Sequence, residues 1–277
     1  MFEQDFIVCN NREIHVRIWN RNATETVVCW HGLARTGGDF IELADSLAEQ
    51  GYRVIAPDTI GRGLSQWADD SAEYEVPVYL NHVVALLKHY SITQCTWVGT
   101  SMGGILGLVA ATSVLKPVIN KLVINDIGPE IPAQSLARII EYVGDFPEFG
   151  KLTEFEQRIR QLYAPFGERT DQQWHQMAVQ CSRRLDNGHW VSHYDPNIVK
   201  QFDSSKPAVT LWPLFELIDV PMMLVHGLNS DVLPISIVKK MRDVKPDMDY
   251  LPVEGCGHAP GLHTYAQINP VLEFIRA

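Results

Sequence analysis

The sequence predicts an α/β fold: a mostly parallel sheet covered on both faces by helices, with an all-helical insertion in its second half. Three observations carry this. Short apolar runs alternate with helical stripes through residues 1–129 and again through 216–277. The stretch Gly99-Thr100-Ser101-Met102-Gly103 joins an apolar run, Cys95 to Val98, to a small-residue helical run, Ile105 to Ala111. The alternation then stops after Pro129, and residues 130–215 carry helical patterns without intervening buried strands.

The elements follow in order. Glu13 to Trp19 alternates polar and apolar residues, as a half-exposed antiparallel edge strand would. Val27 to Trp30 is the first long apolar strand and Val54 to Ala56 the next. Between them Phe40, Leu43, Ala44 and Leu47 form a helical stripe that Gly51 closes. Leu80, Val83, Val84 and Leu87 form a second stripe ahead of the strand at Cys95.

In the insertion, the stripes are Leu136, Ile139, Ile140, Val143; then Leu152, Phe155, Ile159, Leu162; then Trp174, Met177, Ala178, Cys181, Leu185. Thr170 with Gln173 makes a capping box that opens the third. Beyond it, Pro221 to Val225 reads as a buried strand, Pro234 to Val244 as a helix and Met248 to Pro252 as a strand. Asn269 and Pro270 make an N-cap and first-turn pair for the last helix.

Gly-x-Ser-x-Gly between a strand and a helix is the context of an activated serine, held in a sharp turn that glycines on both sides permit. An acid and a histidine follow in the chain. Asp231 lies in the loop after the strand at Pro221, and His258 lies in the loop Gly255-Cys256-Gly257-His258 after one more strand. They are 27 positions apart, room for a loop, a helix and a strand, so both fall past strand C-terminal ends, the edge of an open parallel sheet that binds ligands. Asp126, in Asn125-Asp126-Ile127-Gly128-Pro129, also sits just past a strand and competes with Asp231, which is the first choice.

Two more segments, Trp30-His31-Gly32-Leu33 and Asp58-Thr59-Ile60-Gly61-Arg62-Gly63-Leu64-Ser65, complete a pattern that resembles the α/β-hydrolase-fold serine hydrolases over nearly the whole chain. The resemblance implies an eight-stranded, mostly parallel sheet, with 1–129 and 216–277 forming the core. It implies that 130–215 is a helical cap, or lid, between the sixth and seventh strands. By the same resemblance, Ser101, Asp231 and His258 form the triad, some relatives placing the acid at the position of Asp126. The backbone N–H groups of Leu33 and Met102 form the oxyanion hole. Such a serine needs a histidine to take its proton, an acid to orient that histidine, and preorganised donors for the tetrahedral oxyanion.

His31 and His226 stand in His-Gly turns and read first as loop-shaping; His31 is also a pocket candidate, with Trp190, Tyr194 and Trp212 of the cap. Asp58 reads as a brace for the loop of Gly61 and Gly63. A serine nucleophile sets the chain apart from the dehalogenase and epoxide hydrolase branches, which attack through aspartate. Ser101-Met102-Gly103-Gly104 is similar to the elbow of ring-fission C–C hydrolases, but Leu33-Ala34-Arg35 and Thr100 depart from their pattern. The expected reaction is hydrolysis of a small or medium ester, thioester or lactone through an acyl-enzyme. Cleavage of C–C bonds in meta-cleavage products and ligand binding with little turnover are the alternatives.

Composition narrows the partners. The 277 residues are 46% hydrophobic and 20% charged, ordinary for a soluble globular enzyme. A net charge of −10, without a dense basic run, argues against nucleic acid and anionic membrane. Five scattered cysteines lack metal-type spacing and point to a reducing compartment. The acidic N-terminus resembles no signal peptide, so the expected location is cytoplasmic. No phosphate-loop pattern or metal constellation is present, so no cofactor and no metal are expected. The expected partner is a small-molecule ester substrate, bound by a monomer or homodimer.

Overall fold

The computed structural model describes residues 1–202 and 210–277; part of the expected insertion, 203–209, lies outside them. The first half contains strands β1 (Glu3–Cys9), β2 (Arg12–Trp19), β3 (Thr26–Trp30), β4 (Arg53–Pro57), β5 (Cys95–Thr100) and β6 (Ile119–Asn125). Helices α1 (Ile41–Glu49), α2 (Val76–His89) and α3 (Met102–Ala110) come between them. The insertion holds α4 (Ala133–Gly144), α5 (Leu152–Tyr163), α6 (Asp171–Gln180) and a hairpin of β7 (Ser182–Arg184) and β8 (Trp190–Ser192). The chain then returns through α7 (Trp212–Leu217), β9 (Met222–Gly227), α8 (Ile235–Val244), β10 (Asp249–Val253) and α9 (Tyr265–Arg276).

Eight strands form one sheet in the order β1-β2-β4-β3-β5-β6-β9-β10. β2 runs antiparallel to both β1 and β4, and every pairing from β4 to β10 is parallel. Alternation within the strands divides the core. Val28 and Trp30 face the side packed by α2, α3 and α8, whereas Val27 and Cys29 face the side packed by α1 and α9. Trp30 also stacks on Trp97 of the next strand, their rings 5.4 Å apart.

Four expectations about the elements need correction. Glu13 to Trp19 is an inner strand, not an edge; the edge is β1. Its polar positions His15 and Arg17 are buried because both meet the Asp58 carboxylate, an arrangement that imitates half-exposure in the sequence. In α2, Tyr79, Val83, Leu86 and Leu87 face inward while Val84 faces out. The last helix begins at Tyr265 and keeps Pro270 inside it. Proline there removes one intrahelical donor, but Ile268, Val271, Phe274 and Ile275 anchor the helix on the sheet with α1, and that packing overrides the local preference. The insertion is not all-helical: Ser182 to Ser192 forms the β7–β8 hairpin, and Leu185 lies in its turn rather than at the end of a helical stripe.

The insertion has its own apolar cluster, in which Phe155 and Ile159 of α5 pack on Trp174, Met177 and Ala178 of α6. Thr170 and Gln173 do make the reciprocal capping box at the start of α6. Its neck closes where the Leu211 N–H donates to the Pro129 carbonyl at 2.7 Å.

Candidate active site

Ser101 sits between β5 and α3 with φ 52° and ψ −113°, a backbone conformation that L residues rarely adopt. Two glycines make the turn sterically feasible. A Cβ on Gly99 would come within 2.2 Å of the Gly103 carbonyl oxygen, and one on Gly103 within 2.0 Å of the Trp30 carbonyl oxygen. The strand and the helix therefore approach closely, and the serine hydroxyl projects from the sheet edge.

That hydroxyl donates to His258 Nε2 at 2.8 Å. On the other side of the ring, Nδ1–H donates to Asp126 Oδ2 at 2.9 Å. The expectation that Asp231 orients this histidine is corrected by this contact: the carboxylate behind His258 belongs to the residue after β6. Asp126 adopts φ 58°, a left-handed conformation that aspartate tolerates better than most residues. This turn sends its side chain toward β9, where the Gly227 N–H donates to Oδ1 at 2.8 Å and the Ser230 hydroxyl to Oδ2 at 2.6 Å. The segment His226-Gly227-Leu228-Asn229-Ser230-Asp231 thus supplies the donors that hold the acid rather than the acid itself.

Asp231 lies elsewhere, at the mouth of the adjoining cavity. It accepts two hydrogen bonds from Arg138 of α4, at 2.7 and 2.9 Å, and both side chains are about half exposed to solvent. Asn125 completes the frame. Its amide donates to Thr100 Oγ1 at 3.0 Å and to the Pro260 carbonyl at 2.8 Å, tying the serine turn to the loop of His258.

The loop after β3 reaches Ser101 from below: a Cβ on Gly32 would stand 3.6 Å from the Ser101 Cβ. Arg62, fully buried, donates from Nε to the Leu33 carbonyl at 2.9 Å and from Nη1 to Tyr79 and the Ile60 carbonyl, which holds the Leu33–Ala34 peptide that follows the Leu33 amide. The Met102 N–H opens α3, where backbone amides have no intrahelical acceptor. Among the described residues neither the Leu33 nor the Met102 amide donates to a protein group.

Ser101, His258, Leu33 and Met102 share a cavity of about 470 Å³. Ile105 of α3, Leu136 and Ile139 of α4, and Leu162 and Phe166 beyond form much of its apolar wall. The four expected pocket side chains are not part of that wall. His31 is buried beneath it, donating from Nδ1 to the Gly32 carbonyl while Nε2 accepts from the Thr59 N–H at 2.8 Å. Trp190 packs in the cluster of the insertion, and Tyr194 donates to the Val143 carbonyl at 3.2 Å. Trp212 donates to Glu130 at 2.7 Å and lies under Lys240. Aromatic residues in a cap sequence do not reveal which side of a layer they face; the insertion's aromatics that do line the cavity are Tyr142, Tyr163, Phe166 and Phe202, beside Leu136 and Ile139 of α4.

The insertion is fastened to the core by polar contacts. His193 of the segment after β8 accepts the Gly63 N–H on Nδ1 at 2.7 Å, and Tyr74 donates to Asp195 at 2.6 Å. Arg35, from the Leu33 loop, reaches Cys181 at 3.1 Å and lies over the Tyr163 ring. Cys256, two positions before His258, is buried, and burial raises its pKa.

Burial lowers the pKa of His31 to about 4 and that of His193 to about 3. Both are accordingly neutral when folded, against an ordinary histidine value near 6.5. As the pH falls from about 6.5 toward 4 the unfolded chain binds protons that the folded one refuses, so stability is lost on that side and recovered as the pH rises. Urea unfolding is expected to show a higher midpoint at pH 7 than at pH 5. In His193→Gln the difference between the two pH values narrows; an equal difference would contradict this account.

The alpha/beta hydrolase fold family matches residues 25–262, and the chain belongs to that family. It is 35% identical over 266 residues, 92% of this chain and 90% of the relative, to a 3-hydroxybutyrate-oligomer hydrolase from Cupriavidus necator. Among solved structures, a putative hydrolase from Rickettsia typhi superposes with a TM-score of 0.91 at 25% identity, covering 100% of this chain and 99% of that one. An alpha/beta hydrolase from Novosphingobium aromaticivorans gives a TM-score of 0.89 at 28% identity over 99% of this chain and 98% of its own. No helix among the described residues is long and apolar enough to cross a membrane.

Proposed function

We propose that the protein hydrolyses carboxylic esters through an acyl-enzyme on Ser101, with short linear oligoesters of 3-hydroxybutyrate as its substrate class. The observation that carries the reaction is the relay Ser101–His258–Asp126, with links of 2.8 and 2.9 Å, opening on a largely apolar cavity. The substrate class rests on the similarity to the 3-hydroxybutyrate-oligomer hydrolase over nearly the full length of both chains.

In this reading the ester carbonyl lies over Ser101 with its oxygen toward the Leu33 and Met102 amides. As Oγ attacks, His258 Nε2 takes the hydroxyl proton, and Asp126 stabilises the imidazolium that results. The tetrahedral intermediate collapses, the C–O bond breaks, and His258 passes its proton to the departing alcohol. Water, deprotonated by the same imidazole, then attacks the acyl group, and a second collapse returns the hydroxyl to Ser101 and releases the acid. The two amides stabilise the oxyanion in both halves, a contribution of about 100-fold to 1000-fold in rate for one donor. The insertion 130–215 acts as a lid, its α4 excluding water and setting the room for the acyl group.

Initial rates on p-nitrophenyl esters of graded acyl length test the reading. A maximum at a short or medium chain, abolished by an organophosphate that modifies serine, is expected for a cavity of this size. Absence of turnover on every ester, together with turnover of a meta-cleavage C–C substrate, would replace it.

A further inference from the structure

Among the described residues, the mouth of the cavity carries one charged pair, Arg138 and Asp231, on an otherwise mainly apolar wall. The two residues come from different layers: Arg138 from α4 of the insertion, Asp231 from the loop after β9. Their side chains are 48% and 50% exposed, and exposed pairs of this kind hold together by only about 0–1 kcal/mol. The guanidinium is thus free to change partners at little cost. By contrast Arg35, the other arginine along the cavity, is buried, held by Asp39 and covered by Tyr163, so it is not available to a ligand.

A linear oligoester of a hydroxy acid ends in one free carboxylate at neutral pH, and the rest of the chain is uncharged. Resting on the ester-hydrolase reading above, we propose that Arg138 binds this terminal carboxylate by exchanging Asp231 for it, and so selects oligomers that carry a free acid end. The planar guanidinium offers two parallel N–H donors, already arranged as a fork on a carboxylate in the Asp231 pair. Asp231 is the competitor that holds this fork when no substrate is present, and its negative charge disfavours entry of an acid while the pair is open. The α4 helix also fixes the position of the fork, since Ser135, one turn earlier, donates to the Asp231 carbonyl at 2.6 Å.

The test compares the dimer and trimer of 3-hydroxybutyrate as free acids with their methyl esters, which have the same chain and no charge. The readout is the ratio of kcat/KM for acid to that for methyl ester. Arg138→Gln is expected to lower this ratio by about two- to fivefold, the range that a half-exposed carboxylate pair of up to about 1 kcal/mol supplies. Arg138→Lys, which keeps the charge but not the fork, falls between, and Asp231→Asn, which removes the competitor, raises the ratio. An unchanged ratio in both Arg138 variants overturns the proposal, as does a drop of equal size for acid and methyl ester. If the wild type cleaves p-nitrophenyl butyrate but neither oligomer form, the substrate class is wrong and the proposal falls with it. If it cleaves none of these, the ester reading itself has failed.

Discussion

Ser101→Ala and Asp126→Asn are each expected to lower kcat on p-nitrophenyl butyrate by about 10⁴-fold or more, and Asp231→Asn to stay within about tenfold of the wild type. The contrast follows from contact. Asp126 accepts a hydrogen bond from Nδ1–H of His258, so an amide there presents the wrong tautomer to Ser101 and leaves the imidazolium unsupported. Asp231 makes its ion pair with Arg138. Steady-state rates of the three variants, with circular dichroism as a check on folding, decide the matter. Loss of activity in Asp231→Asn to the level of Asp126→Asn would contradict the assignment.

The second large effect concerns stability. Asp58 is wholly buried and accepts hydrogen bonds from His15 at 2.8 Å and Arg17 at 2.7 Å, and from the backbone of Gly37 and Leu64. Burial opposes its charged form, but the His15 hydrogen bond and the Arg17 guanidinium outweigh it and hold the carboxyl well below the ordinary range. A carboxylate depressed in this way stabilises the fold above its unfolded pKa near 4 and loses that contribution as the pH falls toward the folded value. Asp58→Asn leaves Arg17 without its buried partner, and about 3–5 kcal/mol of stability is expected to go with it. Urea unfolding at pH 7 measures this. A loss below 1 kcal/mol would mean that the network does not support the loop carrying Gly61 and Gly63.

Much of this was legible in the sequence for physical reasons that particular residues display. The turn at Ser101 was readable because only glycine fits at positions 99 and 103. His258 was readable because its loop follows the last strand of the sheet. The choice between Asp126 and Asp231 was not readable from spacing, since both residues lie past strand ends at the same edge. Backbone direction distinguishes them in the structure: the left-handed turn at Asp126 aims its carboxylate at the donors of Gly227 and Ser230 and at His258 Nδ1. The role of β2 was misread because buried His15 and Arg17 have the same alternation as a solvent-facing row. The expected pocket aromatics are placed by partners outside the cavity wall, Trp190 by packing in the cluster of the insertion and Trp212 by its hydrogen bond to Glu130.

The measurement that bears most directly on the central claim is product analysis of the linear 3-hydroxybutyrate trimer incubated with the wild type and with Ser101→Ala. The account predicts that the wild type releases dimer and monomer with each ester bond consumed yielding one new acid, and that Ser101→Ala releases them only at the uncatalysed rate. Equal release by the two proteins, or an intact trimer with the wild type, would contradict it.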